Sequence, residues 1–138
     1  MPEAKEKFIA TKITEHVIEN HLLNGNTFDV EDVNAIKAAN LKLSGGRKYS
    51  VLVWSEEFTV ITKEARELVA SKEFAQNTIA KALVVANLAQ KIIVNFYLKI
   101  NRPYIKTKAF RTKEEGIKWL KEIEEQEIKL NKTKKEVV

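Results

Sequence analysis

Two short apolar runs constrain the fold of this chain more than any other feature of its sequence. The first is YSVLVW at residues 49–54, and the second is TIAKALVVA at residues 78–86. The first run is rich in β-branched residues and too short for a helix, and both read as strands buried on both faces. Because a helical segment lies between them, they predict a βαβ unit with parallel strands and a right-handed crossover.

Two helical segments flank the first run, and each has a recognisable start signal. Asp29 is placed to cap a helix that ends at Gly45-Gly46, since glycine reaches the left-handed conformation of a helix C-cap at little cost. Thr62 is placed to cap a second helix over the segment KEARELVASKEF, residues 63–74. Strands and helices therefore alternate along the chain.

The same alternation continues to the C-terminal part. Residues 87–101 predict a helix that stops before Pro103, because the residue before proline is driven out of helical geometry. A short last strand at 108–110, within an edge segment 106–110, precedes Thr112 and Glu115, whose spacing is that of a capping box. The final helix carries an apolar stripe that can dock on the sheet: Ile117, Trp119, Leu120 and Ile123.

The N-terminal part has two readings. Residues 8–13 and 17–23 are apolar segments dense in β-branched residues, ahead of the turn signal Asn24-Gly25-Asn26, and they predict a β-hairpin. One amphipathic helix is the alternative, since apolar residues also recur at spacings of four. The hairpin is favoured because a helix would lack a start signal here. The predicted fold is therefore α/β: a four- or five-stranded mixed sheet, with an N-terminal hairpin and then βα repeats, and helices packed against it.

The length of 138 residues predicts one domain, residues 1–130, followed by a polar, frayed tail at 131–138. The absence of cysteine excludes disulfides, a thiol nucleophile and a cysteine-based zinc site. Neither a secretory signal nor a run of apolar residues long enough to span a membrane is present. We therefore expect a cytoplasmic protein without a transmembrane segment.

Positive charge is concentrated in one stretch. Residues 91–113 contain seven basic and no acidic residues, so the rest of the chain carries −2 against the overall +5. Such a stretch attracts anions at short range, although a solvated basic edge is the alternative. The sequence does not favour nucleic acid as a partner, because interleaved exposed aromatics and a recognition motif are missing. The candidate anion contacts are Lys91, Lys99, Arg102 and Lys106.

No catalytic or metal-binding set can be assembled from the sequence. His16 and His21 are five residues apart, which on one strand places them on opposite faces, and no third ligand is clustered with them. The adjacent glutamate pairs, such as Glu56-Glu57, point apart on any regular element. No phosphate-cradling glycine loop is present. We therefore expect no enzyme activity, no cofactor and no metal.

Three hydroxyl side chains lie at the end of the YSVLVW strand: Ser55, Thr59 and Thr62. In doubly wound sheets, ligands and modifications tend to sit at the carboxyl ends of strands, so these residues are candidates for a phospho-switch. The alternative is that they serve only as turn and cap hydroxyls.

The helix predicted at 87–101 is apolar around most of its circumference, which is more than docking one face on a sheet requires. Three explanations remain open: coverage by neighbouring helices, a protein interface that includes a homodimer, or the lining of an apolar ligand pocket. The candidate partner or ligand contacts are Ile92, Ile93, Phe96, Tyr97 and Ile100.

A family resemblance rests on LVWSEEFTVITKEAREL, ALVVANLAQKIIVNFYLKINRP, KAF and EEGIKWL, from about residue 8 to residue 120. This pattern resembles small bacterial proteins with the fold of sporulation anti-sigma-factor antagonists, called STAS-like, of a branch common in Bacteroidetes. The resemblance implies a mixed sheet with helices and no catalysis. Regulatory members are phosphorylated at a serine in an Asp-Ser-Ser-Gly-like motif, which here reads Val60-Ile61-Thr62-Lys63.

We therefore expect a non-enzymatic regulatory or binding module that acts by protein association through the segment 87–103. The alternative is binding of a small apolar molecule or lipid in a pocket next to the helix at 87–101, since related folds bind apolar ligands. Weak binding of an anionic partner through residues 91–113 is the third hypothesis, and it rests on the charge pattern alone.

Overall fold

The computed structural model describes residues 3–4, 7–56 and 58–137, with side chains for 7–56 and 58–130. It contains eight strands and four helices among these residues, and a π-helical turn (Tyr97–Asn101) continues the third helix. The strands are β1 (Glu3–Ala4), β2 (Phe8–Thr14), β3 (Val17–Leu22), β4 (Thr27–Phe28), β5 (Tyr49–Ser55), β6 (Val60–Ile61), β7 (Thr78–Val84) and β8 (Lys106–Phe110). The helices are α1 (Val30–Ser44), α2 (Lys63–Ala70), α3 (Leu88–Phe96) and α4 (Lys113–Val137).

A mixed sheet forms the centre of the molecule, in the order β1-β2-β3-β5-β7-β8. The first three strands pair antiparallel, and β3, β5, β7 and β8 pair parallel. Five strands have five or more residues, and β1 adds a two-residue edge. The predicted α/β fold, with an N-terminal hairpin followed by βα repeats, is confirmed, and the hairpin replaces the alternative of one amphipathic helix.

The caps of α1 follow the sequence signals. The Asp29 side chain accepts hydrogen bonds from the backbones of Val30 and Asp32. The Asp32 side chain accepts one from the Asp29 backbone, which completes a capping box. Gly45 lies in the left-handed region with φ 64°, where it ends the helix with little strain.

Two predicted boundaries are wrong. Helix α2 ends at Ala70 and not at residue 74, because the Ser71 hydroxyl donates to the Leu68 carbonyl at 2.6 Å and accepts from the Phe74 amide at 3.2 Å. These local bonds compete with the helical ladder. Strand β7 ends at Val84, two residues before its predicted end.

The final helix α4 runs to Val137, so it includes most of the segment 131–138 for which the sequence predicts a frayed tail. The side chains of that segment lie outside the described residues, and the frayed tail stays a prediction. In the described part of the chain, no helix is both long and apolar enough to cross a membrane.

The helices cover the two faces of the sheet differently. Helix α4 packs on one face, where Leu52, Ala82 and Leu120 belong to a closed core. Helix α1 packs on the other face, over a second core to which Phe8, Ile18 and Val51 belong. Helices α2 and α3 lie on the same face as α1, as right-handed crossovers between successive parallel strands require.

Candidate functional site

A cavity of about 250 Å³ lies between the sheet and the three helices α1, α2 and α3. We call it the α3 cavity, because α3 and the turn after it cover its open side. Strands β3, β5 and β7 form its floor, and its walls come from α1, α2 and the segment 59–61. Its apolar lining includes Leu22, Val33, Ile36, Val51, Val53, Val69, Leu83, Ile93, Val94 and Ile105.

Hydrogen bonds at its first turn hold α3 in place above the sheet. The Asn87 side chain caps the helix by accepting from the Gln90 amide at 2.9 Å. The Gln90 side chain accepts from the Ala86 amide at 2.8 Å and donates to the Ser55 carbonyl at 3.1 Å. The start of α3 is therefore tied to the end of β5, at the carboxyl edge of the parallel strands.

The rest of α3 is loosely packed, because none of the residues Leu88–Phe96 is buried. The π-helical turn changes the register after Phe96, and it brings Tyr97 inward to 7% exposure. Inserted π turns of this kind occur often at functional sites. The helix therefore covers the α3 cavity in part and does not fill it.

The five predicted contact residues divide between two faces. Ile93 and Tyr97 line the α3 cavity. Ile92, Phe96 and Ile100 face outward and form, with Leu88, a row that we call the outer ridge, whose side chains are between 49% and 72% exposed. Coverage by neighbouring helices, one of the three explanations for this apolar helix, therefore accounts for Tyr97 and not for the outer ridge.

The charged side chains that line the α3 cavity are all cationic: Lys37, Arg66 and Lys81. Among the described lining residues there is no aspartate or glutamate. A cavity with an apolar surface and charges of a single sign favours anions over cations.

Lys81 lies in the middle of β7, between Ala80 and Ala82, which belong to the core under α4. Because side chains alternate along a strand, Lys81 points the other way, into the α3 cavity. It is 8% exposed, and within the described residues its ammonium has no hydrogen-bond or ion-pair partner. Burial and, to a smaller extent, the nearby charge of Lys37 together lower the pKa of Lys81 to about 8.

Lys37 reaches the cavity from α1 and is already engaged. Its ammonium donates to the Thr78 hydroxyl at 2.8 Å and to the Gln76 carbonyl. It also lies 5.2 Å from the ring centroid of Tyr49 and 5.5 Å from that of Phe74, within the range of cation–π attraction. Burial lowers the pKa of Lys37 to about 8.

Arg66 enters from α2, and it donates to the Ile61 carbonyl at 2.5 Å. Its guanidinium lies 5.9 Å from the ring centroid of Phe96, while its Nε has no partner among the described atoms. The hydroxyl of Tyr97 is likewise buried without a described partner, and burial raises the pKa of that phenol. The cavity therefore holds several donors that are not engaged.

A reciprocal amide pair lines the cavity beside the core under α1. Asn20 of β3 and Asn40 of α1 exchange hydrogen bonds of 2.8 and 2.9 Å, and both residues are buried. Because each amide satisfies the other, this pair fixes α1 on the sheet. The cationic groups are then among the side chains of the cavity with donors left for a ligand.

Sequence reasoning missed Lys81, the most buried charge of the site. The run TIAKALVVA predicts a buried strand and, by itself, no site. A lysine at its centre was the signal, since a charged residue is almost never fully buried unless it is paired. The alternation with Ala80 and Ala82 places Lys81 on the opposite face of the sheet. The cavity on that face depends on the position of α3, which the sequence does not give.

The three candidate phospho-switch hydroxyls lie near one end of the cavity. Ser55 accepts from Gln90 at 3.2 Å, and Thr59 donates to the Glu56 carbonyl at 2.9 Å; both line the α3 cavity. Thr62 caps α2 by accepting from the Ala65 amide at 3.1 Å, and it donates to Asp29 at 3.0 Å. These bonds agree with cap and turn roles, and the phospho-switch stays a prediction.

The four candidate anion contacts are exposed, and they do not form one cluster. Lys91 and Lys99 are on α3 and its π-helical turn, and Arg102 follows the turn with φ 50°. Lys106 lies on β8 with its ammonium 5.9 Å from the ring centroid of Trp119, on the α4 side of the sheet. Lys113, at the end of the basic stretch, pairs with Glu19 at 3.1 Å.

No group of three or more histidine, cysteine, aspartate or glutamate side chains that could hold a metal ion occurs in the described part of the chain. His16 lies in the hairpin turn, where its Nδ1 is 3.1 Å from the Lys48 carbonyl. His21 is on β3 and stacks on Trp54, with ring centroids 3.7 Å apart. Each histidine therefore has a local structural contact.

Comparison with known proteins yields one match. Residues 11–124 match a family described as a domain of unknown function, DUF7793. This range includes every lining residue of the α3 cavity. No curated protein and no solved structure matches the chain.

Proposed function

The chain belongs to the DUF7793 family, and we propose that it is a non-enzymatic binding protein that holds a small apolar molecule in the α3 cavity. One observation carries the proposal: the cavity is lined mainly by apolar side chains, and the helix that covers it has no buried residue along Leu88–Phe96. Concave, mostly apolar sites with a few convergent polar groups are the usual form of a ligand site.

The volume limits the size of the ligand. An engineered apolar cavity of about 150 Å³ binds benzene, which has six non-hydrogen atoms, so about 250 Å³ has room for about ten. A molecule of this size is a short alkyl chain or a single substituted ring. A membrane phospholipid with two long chains is too large for the cavity as it stands.

The cavity is partly open beside α3, where the lining residue Ile93 is 47% exposed, and movement of α3 would widen this entrance. Local opening has a low free-energy cost where few apolar contacts are lost. The hydrogen bonds of Asn87 and Gln90 retain the first turn, so the proposed opening occurs at the C-terminal end of α3. The π-helical turn lies at that end, and Tyr97 is its buried residue.

The proposal assigns no reaction to the site. Lys81 is the best candidate for chemistry, but among the described residues no carboxylate lines the cavity to exchange protons with it. The proposal is also compatible with the STAS-like resemblance and with a cytoplasmic location, both of which we retain as proposals. The N-terminal hairpin and the parallel βα repeats support the STAS-like interpretation.

Protein association through the outer ridge is the second candidate function. Leu88, Ile92, Phe96 and Ile100 recur every four residues and expose their side chains along one line. An apolar row of this kind suits the self-complementary interface of a homodimer. Light scattering tests it: a dimer that Ile92→Glu converts to a monomer supports this function, and a wild-type monomer at high concentration contradicts it.

The binding proposal is tested with 1-octanol, a neutral apolar probe of ten or fewer non-hydrogen atoms. We expect saturable binding by titration calorimetry, and we expect Val53→Phe to weaken it at least tenfold because the added ring occupies the floor of the cavity. Ile13→Phe introduces the same ring at an exposed position of β2 and serves as the control. Absence of saturable binding to the wild-type protein would refute the proposal.

A further inference from the structure

We infer that the natural ligand of the α3 cavity is an amphipathic carboxylic acid, whose carboxylate pairs with the ammonium of Lys81 while its apolar body fills the rest of the cavity. This inference rests on the proposed function and specifies its ligand class. Lys81 is 8% exposed, lines the cavity, and has no partner among the described residues. An unpaired buried charge costs free energy, so a ligand that supplies the opposite charge gains affinity.

The groups around Lys81 all favour an anion. Lys37 faces it from α1 and Arg66 lines the same cavity from α2, while the phenols that line the cavity belong to Tyr49 on β5 and Tyr97 after α3. Two of these groups are cations and two are neutral donors at pH 7. Among the described lining residues no carboxylate competes for the lysine.

Lys81 is the primary contact because its donors are free. The Lys37 ammonium already donates to Thr78 and Gln76, and Arg66 already donates to Ile61. An ammonium group has three N–H donors, and Lys81 uses none of them within the described residues. With a pKa of about 8, lowered by burial, Lys81 also keeps its proton at neutral pH.

The size of the cavity favours a carboxylate over a larger anionic head group. With room for about ten non-hydrogen atoms, a carboxylate leaves most of that space to the apolar body, which matches the apolar lining. A sulfate or phosphate ester uses five atoms for its head group and leaves about half the space. Octanoate, with eight carbons and two oxygens, fits these limits and is the probe for the test.

The test compares octanoate with 1-octanol, which has the same chain and no charge. We expect the wild-type protein to bind octanoate at least tenfold more tightly at pH 7. Lys81→Met keeps an unbranched side chain and should remove this preference, because octanoate loses its ion pair and octanol has none to lose. Lys12→Met removes an exposed strand lysine and should leave both affinities unchanged.

The outcomes separate the two proposals. Octanol binding with no preference for octanoate would overturn the carboxylic-acid inference and leave the binding function standing. Binding of neither probe would overturn both. Octyl sulfate binding as tightly as octanoate would overturn the carboxylate assignment in favour of any monoanion.

A second measurement uses only the wild-type protein, so its result does not depend on whether a variant folds. Coupling between proton and ligand binding is reciprocal, so a tenfold preference for the protonated lysine raises its pKa by about one unit. The titration of Lys81 can be followed by NMR of lysines labelled with ¹³C at Cε, with and without octanoate. An unchanged midpoint at saturating octanoate would refute the pairing.

Discussion

The two faces of the central sheet are built from the same strands but are packed in opposite ways. Under α4 the contact is close: a Cβ added at Gly116 would lie 2.6 Å from Cδ1 of Leu52, and Leu120 is fully buried. Under α3 the helix stands off and leaves about 250 Å³. One face is a core that stabilises the fold, and the other has the room and the charge of a binding site.

Strand β7 shows the difference within three residues. Ala80 and Ala82 have small side chains that let α4 approach, whereas Lys81 between them projects a long cationic side chain into the α3 cavity. Apolar burial alone would favour a leucine or valine at that position. A lysine at this position therefore lowers stability where an apolar side chain would raise it.

Truncation of one apolar side chain under α4 and one on α3 should give the largest difference in stability. Leu120→Ala should lower the free energy of unfolding by about 3–4 kcal/mol, because it leaves a cavity in the closed core. Ile93→Ala should cost less than about 1 kcal/mol, because Ile93 is 47% exposed and borders a cavity that already exists. Equal losses in urea unfolding would mean that the two faces are packed alike.

Removal of the buried charge should stabilise the protein. Lys81→Met should raise the free energy of unfolding at pH 7 by roughly 3 kcal/mol, the cost implied by a pKa lowered from 10.5 to about 8. Lys12→Met, at an exposed strand position, should change it by less than about 0.5 kcal/mol. A destabilised Lys81→Met variant would show that the ammonium has a stabilising partner.

The destabilising effect of Lys81 should also appear in the pH dependence of the free energy of unfolding. Between pH 8 and 10.5 the unfolded chain holds the proton of Lys81 and the folded chain does not, so wild-type stability rises with pH in this window. The advantage of Lys81→Met should therefore shrink from roughly 3 kcal/mol at pH 7 to below about 1 kcal/mol at pH 10. The contributions of Tyr49 and Tyr97, whose pKa values burial raises, cancel in this difference.

The architecture of the protein could be predicted from its sequence, because strand and cap signals are local. The run YSVLVW became β5, and Asp29 caps α1 as expected. The end of α2 was missed because a single hydroxyl, that of Ser71, competes with the helical bonds. Whether a serine hydroxyl forms such bonds depends on its side-chain geometry, which cannot be predicted from the order of residue types alone.

The site was harder to predict than the fold. The helix at 87–101 was recognised as unusually apolar, but its division into a cavity side with Ile93 and an outer ridge with Ile92 depends on the distance between α3 and the sheet. That distance is a tertiary property. The charge of Lys81 was readable in the sequence, whereas its convergence with Lys37 and Arg66 required the three-dimensional arrangement.

The smallest expected effect concerns neighbouring positions on α3. Ile92→Glu changes an exposed residue of the outer ridge and should alter stability by less than about 0.5 kcal/mol, with octanol affinity unchanged. Ile93→Glu introduces a carboxylate beside the cavity and should abolish octanol binding. Calorimetry on both variants distinguishes the faces, and loss of binding in Ile92→Glu alone would assign the ligand to the outer ridge.

The most direct test of a cavity that binds an apolar acid is a crystal structure of the protein with octanoate. We expect the alkyl chain between Val53, Leu83 and Ile93, and the carboxylate at about 2.7–2.9 Å from Nζ of Lys81, the distance of a charge-assisted hydrogen bond. A structure in which the side chains of α3 fill the cavity, or in which octanoate lies only on the outer ridge, would contradict the proposal.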